Sequence, residues 1–171
     1  MTLSITPVSV DRVEELQAIS IATFTDTFAK DNTAEDLAQY LADAYSIERL
    51  KNELNNPDSE FYFVTLDEQV VGYLKLNLGS AQHEEVGANA MEIERIYIAT
   101  SHKRLGLGSL LITFAMARAR QAQLSSVCLG VWEHNDAARR FYERMGFKTV
   151  GSHVFMLGSD EQTDLLMQHM L

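Results

Sequence analysis

The sequence predicts a three-layer α/β/α sandwich on a mixed central sheet. Three observations lead there. Strand-like apolar runs alternate with helix-like segments, and two helices in the second half each follow an apolar strand. No linker, repeat or low-complexity tract interrupts the 171 residues, so one domain over 1–171 is expected, with 46% hydrophobic residues to fill its core.

Leu3 to Val8 reads as the first strand. Asp11-Arg12-Val13-Glu14 has the spacing of a capping box and predicts a helix running towards Phe28. Thr33 and Ser46 sit where N-caps start two further helices, the second ending at the Asn55-Asn56-Pro57 breaker. Phe61–Leu66 and Val70–Leu78 read as a hairpin around Asp67-Glu68-Gln69, because Leu74, Leu76 and Leu78 alternate with Lys75 and Asn77. A polar loop is expected over Ser80–Asn89, punctuated by Gly79 and Gly87. Met91–Ile98 is a fourth strand, and the helix after it places Leu107, Leu110, Leu111 and Phe114 on one face. Val127–Trp132 is a fifth, buried strand. The next helix is capped by Asn135 or Asp136, turns Ala138, Phe141, Tyr142 and Met145 inward, and stops at Gly146. Phe147–Met156 and Asp164–Met170 close the sheet.

Charge and composition narrow the partners. The formal charge of −10 opposes a nucleic-acid binder, which needs clustered Lys and Arg, and suits a cationic substrate. The single cysteine, Cys128, excludes an internal disulfide and reads as a buried strand residue. No apolar run approaches a membrane span, and Met1–Val10 is too short and polar for a signal peptide, so a cytoplasmic protein without membrane contact is expected. His102, His134, His153 and His169 lack a paired-ligand helical spacing, and no metal is expected.

A strand, then Gly106-Leu107-Gly108, then a helix makes an anion site, because first-turn N–H groups have no intrahelical partners. Lys103 and Arg104 add positive charge. A side chain at either glycine is expected to hold a phosphate away from the backbone. A dinucleotide fingerprint needs glycine where Leu111 stands, and a nucleotide P-loop needs Gly-Lys-Ser/Thr where the chain has Gly108-Ser109-Leu110. Both are excluded. There is no nucleophile elbow, so direct transfer is favoured over an acyl-enzyme.

Together with Asn135, Ala138, Phe141, Tyr142, Gly146 and Phe147, this loop resembles the core of the GNAT N-acetyltransferases over roughly residues 91–147. That family's loop carries Gln or Arg where this chain has Lys103. Residues 131–135, 151–155 and 160–164 are similar to the PaiA-type branch, the spermidine/spermine acetyltransferases. The resemblance implies the GNAT fold, with a splay between the fourth and fifth strands that admits acetyl-CoA as cosubstrate. It implies that Ile96, Tyr97 and Ile98 meet the pantetheine, with the Ile96 N–H polarising the thioester, and that the backbone of Lys103, Arg104, Leu105, Gly106, Leu107, Gly108 and Ser109 holds the pyrophosphate. Asn135 and Ala138 complete the cofactor site, Asn135 either bonding the pantetheine or ordering its turn. Homodimers are common in the family, which leaves a homodimer open.

The resemblance also implies a role for Tyr142 as general acid towards the leaving thiolate, although its spacing equally fits a core tyrosine. Deprotonating an alkyl ammonium at pH 7 costs about 4–5 kcal/mol, so a base is useful. Glu92 and Glu94, two apart on one strand, share a face and are the candidates, ahead of His134 and His153. Ion pairing of those glutamates with Arg95 or Lys75 is the competing reading. A polyamine such as spermidine or spermine is the expected acceptor. The alternatives are a protein N-terminus or lysine, an amino acid or antibiotic, or a CoA-binding regulator with little catalysis.

Overall fold

The computed structural model describes residues 1–83 and 89–171. The chain runs β1 (Leu3–Pro7), α1 (Val13–Phe28), α2 (Ala34–Ala44), α3 (Ile47–Asn55), β2 (Ser59–Leu66), β3 (Gln69–Asn77) and β4 (Ala90–Ile98). It continues through α4 (Leu107–Gln121), β5 (Ser126–Trp132), α5 (Asp136–Arg144), β6 (Lys148–Leu157) and β7 (Asp160–Met170). This is the expected element order. The seven strands form one sheet in the order β1-β2-β3-β4-β5-β7-β6, with β4 and β5 parallel and the other neighbours antiparallel.

Strand alternation divides the side chains between two cores. Phe61, Phe63 and Tyr73 pack with Leu16, Phe24, Leu37 and Leu50 of α1–α3. Val64, Leu74, Met91, Ile93, Val127 and Leu129 pack with Leu111, Ile112, Ala115 and Met116 of α4 and with Tyr142 of α5. The result is the three-layer sandwich, with α1–α3 on one face and α4 and α5 on the other. On α4 the buried stripe is Leu107, Leu111, Ile112, Ala115, Met116 and Ala119; Leu110 and Phe114 lie at its margin.

The local signals fare unequally. Thr33 accepts from the Asp36 N–H (3.1 Å) and Ser46 from the Arg49 N–H (3.2 Å), as N-caps should. The capping box at Asp11–Glu14 does not form. Arg12 N–H bonds the Ser9 carbonyl (3.0 Å) in a 3-10 turn, which places Arg12 at the cap of α1 without a side-chain cap bond. Arg12 instead pairs with Glu15 at 2.8 Å. Strand β7 begins four residues before its expected start, because Gly158 (φ +61°) allows a tight turn at Gly158-Ser159. Ser159 then bonds Asp36 through both N–H (3.0 Å) and hydroxyl (2.8 Å), tying this hairpin to α2. The loop expected over Ser80–Asn89 is described only at its ends, and Gly87 lies outside the described residues. Cys128 is fully buried on β5, as expected. No helix among the described residues is long and apolar enough to cross a membrane.

Candidate active site

The parallel β4–β5 ladder runs from Ala90↔Ser126 to Ile93↔Leu129 and stops there. Beyond it, β4 stays paired to β3 as far as Ile98↔Gly72, and β5 to β7 as far as Trp132↔Asp164. This is the splay between the fourth and fifth strands. A register shift opposite Lys75/Leu76 leaves Glu94 as an extra residue in β4, a bulge that re-aims the strand where the ladder ends. Ala99 N–H donates to the Val71 carbonyl (2.8 Å), so alternation turns the N–H groups of Ile96 and Ile98 the other way, towards the splay. A cleft of about 1180 Å³ opens at this point.

The Gly-rich loop forms one wall of the cleft. After the Thr100–His102 turn, Arg104 (φ +66°) and Gly106 (φ +80°) reverse the chain. Gly106 caps α4, and the Leu110 N–H bonds back to the Gly106 carbonyl at 3.1 Å. The N–H groups of Leu107, Gly108 and Ser109 precede that bond and have no helical acceptor. A Cβ at Gly106 would meet no protein atom within 4 Å, and its φ is one that a side chain rarely adopts. A Cβ at Gly108 would stand 3.2 Å from the Phe141 ring. Gly108 is therefore needed first for the contact between α4 and α5, a constraint the phosphate argument missed. Leu105 is apart from the cleft lining, and its side chain is 58% exposed.

Helix α5 supplies the opposite wall. Asn135 caps it, accepting from the Ala138 N–H at 3.3 Å, and so orders the turn. With a cap at one end and Gly146 (φ +95°) at the other, the short helix holds Tyr142 between Phe141 (5.4 Å between ring centroids) and Phe147 (6.0 Å). Tyr142 is 9% exposed, and burial pushes its phenol well above the usual range. Ile96, Tyr97, Ile98, Lys103, Arg104, Gly106, Leu107, Gly108, Ser109, Asn135, Ala138 and Tyr142 all line the one cleft.

Glu92 and Glu94 line it too, within a polar cluster larger than the sequence suggested. Asn77 Nδ2 donates to both carboxylates at 2.8 Å. Lys75 reaches Glu94 at 2.8 Å and Glu53 of α3 at 3.2 Å; Arg95 reaches Glu53 at 2.8 Å and Glu94 at 3.0 Å. Burial alone would raise the Glu94 carboxyl, but Arg95 and Lys75 overcome it and hold Glu94 at about 2. Among the described residues no Lys or Arg pairs with Glu92, which is 3% exposed and accepts from the His83 N–H at 3.1 Å. His83 Nδ1 lies 3.3 Å from Glu92 and 3.2 Å from Glu94, and the bond to Glu92 raises the imidazole, against burial.

His83 is the histidine the sequence reading passed over. It lies in an irregular segment, and no spacing ties it to β4. His83, Glu92 and Glu94 bring ligand-capable atoms within 4.8 Å of one another. Lys75 already pairs with Glu94 Oε1, the oxygen that lies 3.2 Å from His83 Nδ1. His134 stacks edge-on against Trp132 (5.3 Å) at the surface, outside the cleft lining. His169 Nδ1 lies 3.0 Å from the Gly146 carbonyl and braces the end of α5. His153 lies in the cleft, 3.7 Å from Asp164.

Residues 21–147 match the model of the Acetyltransferase (GNAT) family. An uncharacterized N-acetyltransferase from the pepI 3' region of Lactobacillus delbrueckii subsp. lactis is 45% identical over 169 residues, covering 99% of this chain and 98% of its own. The spermidine N(1)-acetyltransferase of Thermoplasma acidophilum is 24% identical over 163 residues, covering 91% and 96%. The fold is similar to the crystal structure of the PaiA N-acetyltransferase from Thermoplasma acidophilum in complex with coenzyme A. The TM-score is 0.82 at 22% identity, over the whole of both chains.

Proposed function

The chain belongs to the GNAT acetyltransferase family and is an acetyl-CoA-dependent N-acetyltransferase, and from that premise we propose that it acetylates a small cationic primary amine, a polyamine such as spermidine or spermine. The observation that carries this reading is one cleft holding the open edge of β4, the start of α4 with no side-chain cap bond, and a buried tyrosine. One domain spanning 1–171 does the chemistry. The acidic balance and the similarity to a spermidine acetyltransferase support the acceptor class.

The thioester enters the splay with its pantetheine along residues 96–98, and the pyrophosphate rests on the N–H groups of residues 107–109 beside Lys103 and Arg104. The Ile96 N–H faces the carbonyl oxygen on which charge develops. The neutral amine attacks the carbonyl carbon, the N–C bond forms, the C–S bond breaks, and the electron pair leaves on sulfur. Glu92, directly or through His83, takes the amine's proton, and Tyr142 donates to the thiolate. Glu94, held near 2 by its cations, is a poor base and serves to anchor Lys75 and Arg95.

Incubation with acetyl-CoA and a panel of amines, followed as free thiol, tests the reading. Turnover of spermidine but not of lysine peptides is expected. Coenzyme A binding without turnover of any amine would refute it. The pyrophosphate assignment has its own check. Gly106→Asp is expected to weaken acetyl-CoA binding at least about tenfold, because it sets a carboxylate against the phosphates. Gly106→Asn, with similar size and backbone strain but no charge, should weaken binding less. Equal affinities for the two variants in a calorimetric titration would remove the loop from the cofactor site.

A further inference from the structure

The carboxylates around the cleft are not equally free to meet a substrate cation. Glu94 is neutralised by Lys75 and Arg95, and Glu92 is held by Asn77 and His83. Asp26 accepts from the Thr100 hydroxyl at the rim, and Asp43 of α2 lines the cleft but is exposed to solvent. Asp164 differs. It is mostly buried, lies on β7 opposite Trp132, and its ion-pair partner His153 stands 3.7 Å away. Burial raises the Asp164 carboxyl, which His153 only partly offsets, so its negative charge is short of compensation.

The surroundings of Asp164 suit a cation. Phe28 and Trp132 lie 5.9 Å apart, Tyr40 and Phe155 5.7 Å, and Phe24 stacks on Tyr40 at 4.5 Å. All five rings line the same cleft as Asp164, on the sheet face covered by α1 and α2. Aromatic faces attract a desolvated ammonium while shedding water from its alkyl chain. Gly130 of β5 leaves the space above the carboxylate open: a Cβ there would already stand 3.5 Å from Asp164 Oδ2 and 3.7 Å from His153. Trp132, opposite Asp164, lies three residues beyond Leu129, where the β4–β5 ladder ends. That offset is about 10 Å along the strand, the length scale of an extended diamine.

We propose that Asp164, backed by His153 and walled by Phe28, Trp132, Tyr40 and Phe155, binds the distal ammonium of a di- or polyamine whose other amine is acetylated in the splay. The inference rests on the amine-acetyltransferase reading above and adds to it the residue that selects amines bearing a second charge. Asp164 does not touch the reacting atoms; it sets KM.

The test compares spermidine and hexamethylenediamine with hexylamine, which has one ammonium. For the parent protein, the KM of the diamines should lie about 10- to 100-fold below that of hexylamine, the range for hydrogen bonds to charged groups. Asp164→Asn should erase that difference by raising the diamine KM, leaving KM for hexylamine and for acetyl-CoA unchanged. Equal diamine KM in parent and variant, or a rise shared by hexylamine, would overturn the proposal. If the variant does not fold, equal KM for hexylamine and the diamines in the parent overturns it as well. In these cases amine acetylation stands; absence of turnover with every amine removes both.

Discussion

Tyr142→Phe is expected to lower kcat about 100-fold and to leave the KM for acetyl-CoA unchanged. A positioned acid contributes about 10²–10⁴ to such a step. The lower end applies here because burial holds the phenol well above its usual range, while an ordinary thiol titrates near about 8.5. Complete transfer to a free thiolate is therefore uphill. On the proposed mechanism Tyr142 donates a hydrogen bond to charge as it develops on sulfur, and the proton surrendered by the amine restores the balance. Phenylalanine keeps the ring between Phe141 and Phe147, so the melting temperature should barely move. Steady-state kinetics with acetyl-CoA varied at saturating amine, together with thermal unfolding, checks both halves. An unchanged kcat removes Tyr142 from the chemistry and leaves it as a core tyrosine.

Arg95→Met should cost about 3–5 kcal/mol of stability, because it strips a buried cation from two carboxylates. Arg95 is buried, pairs with Glu53 and Glu94, and lies over the Tyr45 ring at 5.2 Å. Methionine leaves Glu53 and Glu94 sharing Lys75. For a chain of this size the melting temperature should fall by roughly 10 °C at pH 7. The pH dependence has a definite sign. In the folded protein Glu94 is held at about 2, below its ordinary 4.5, so its contribution is fully present above pH 4.5 and is lost as pH falls towards 2. The gap between parent and variant should therefore narrow steadily from pH 5 to pH 3. Equal melting temperatures at pH 7 would show that the network adds nothing to stability. A gap independent of pH would show that it does not act through Glu94.

How much was legible in the sequence depends on the range of the interaction behind each signal. The caps at Thr33, Ser46 and Asn135 are contacts three residues long, and composition reveals them. The Asp11 capping box failed at the same range, because the Ser9–Arg12 turn offered the backbone a competing bond. Glu92 and Glu94 were placed on one face by alternation alone. Their different surroundings were not legible: Glu53 arrives from α3, Lys75 from β3 and His83 from a loop, and no spacing in β4 encodes those partners. Gly108 was recognised as necessary for one reason and proved to be constrained by another, the Phe141 ring across the α4–α5 contact.

By itself the sequence determined the element order, the sandwich, the family and the glycine loop that opens α4, since these follow from periodicity and from motifs whose residues are neighbours along the chain. The tertiary structure alone decided how charge is distributed around the cleft. A carboxylate's proton affinity depends on which cations and how much water lie within a few ångströms. Sheet pairing surrounded Glu94 with cations, while it set Asp164 opposite Trp132, in the cleft that aromatic rings of α1, α2 and β6 also line.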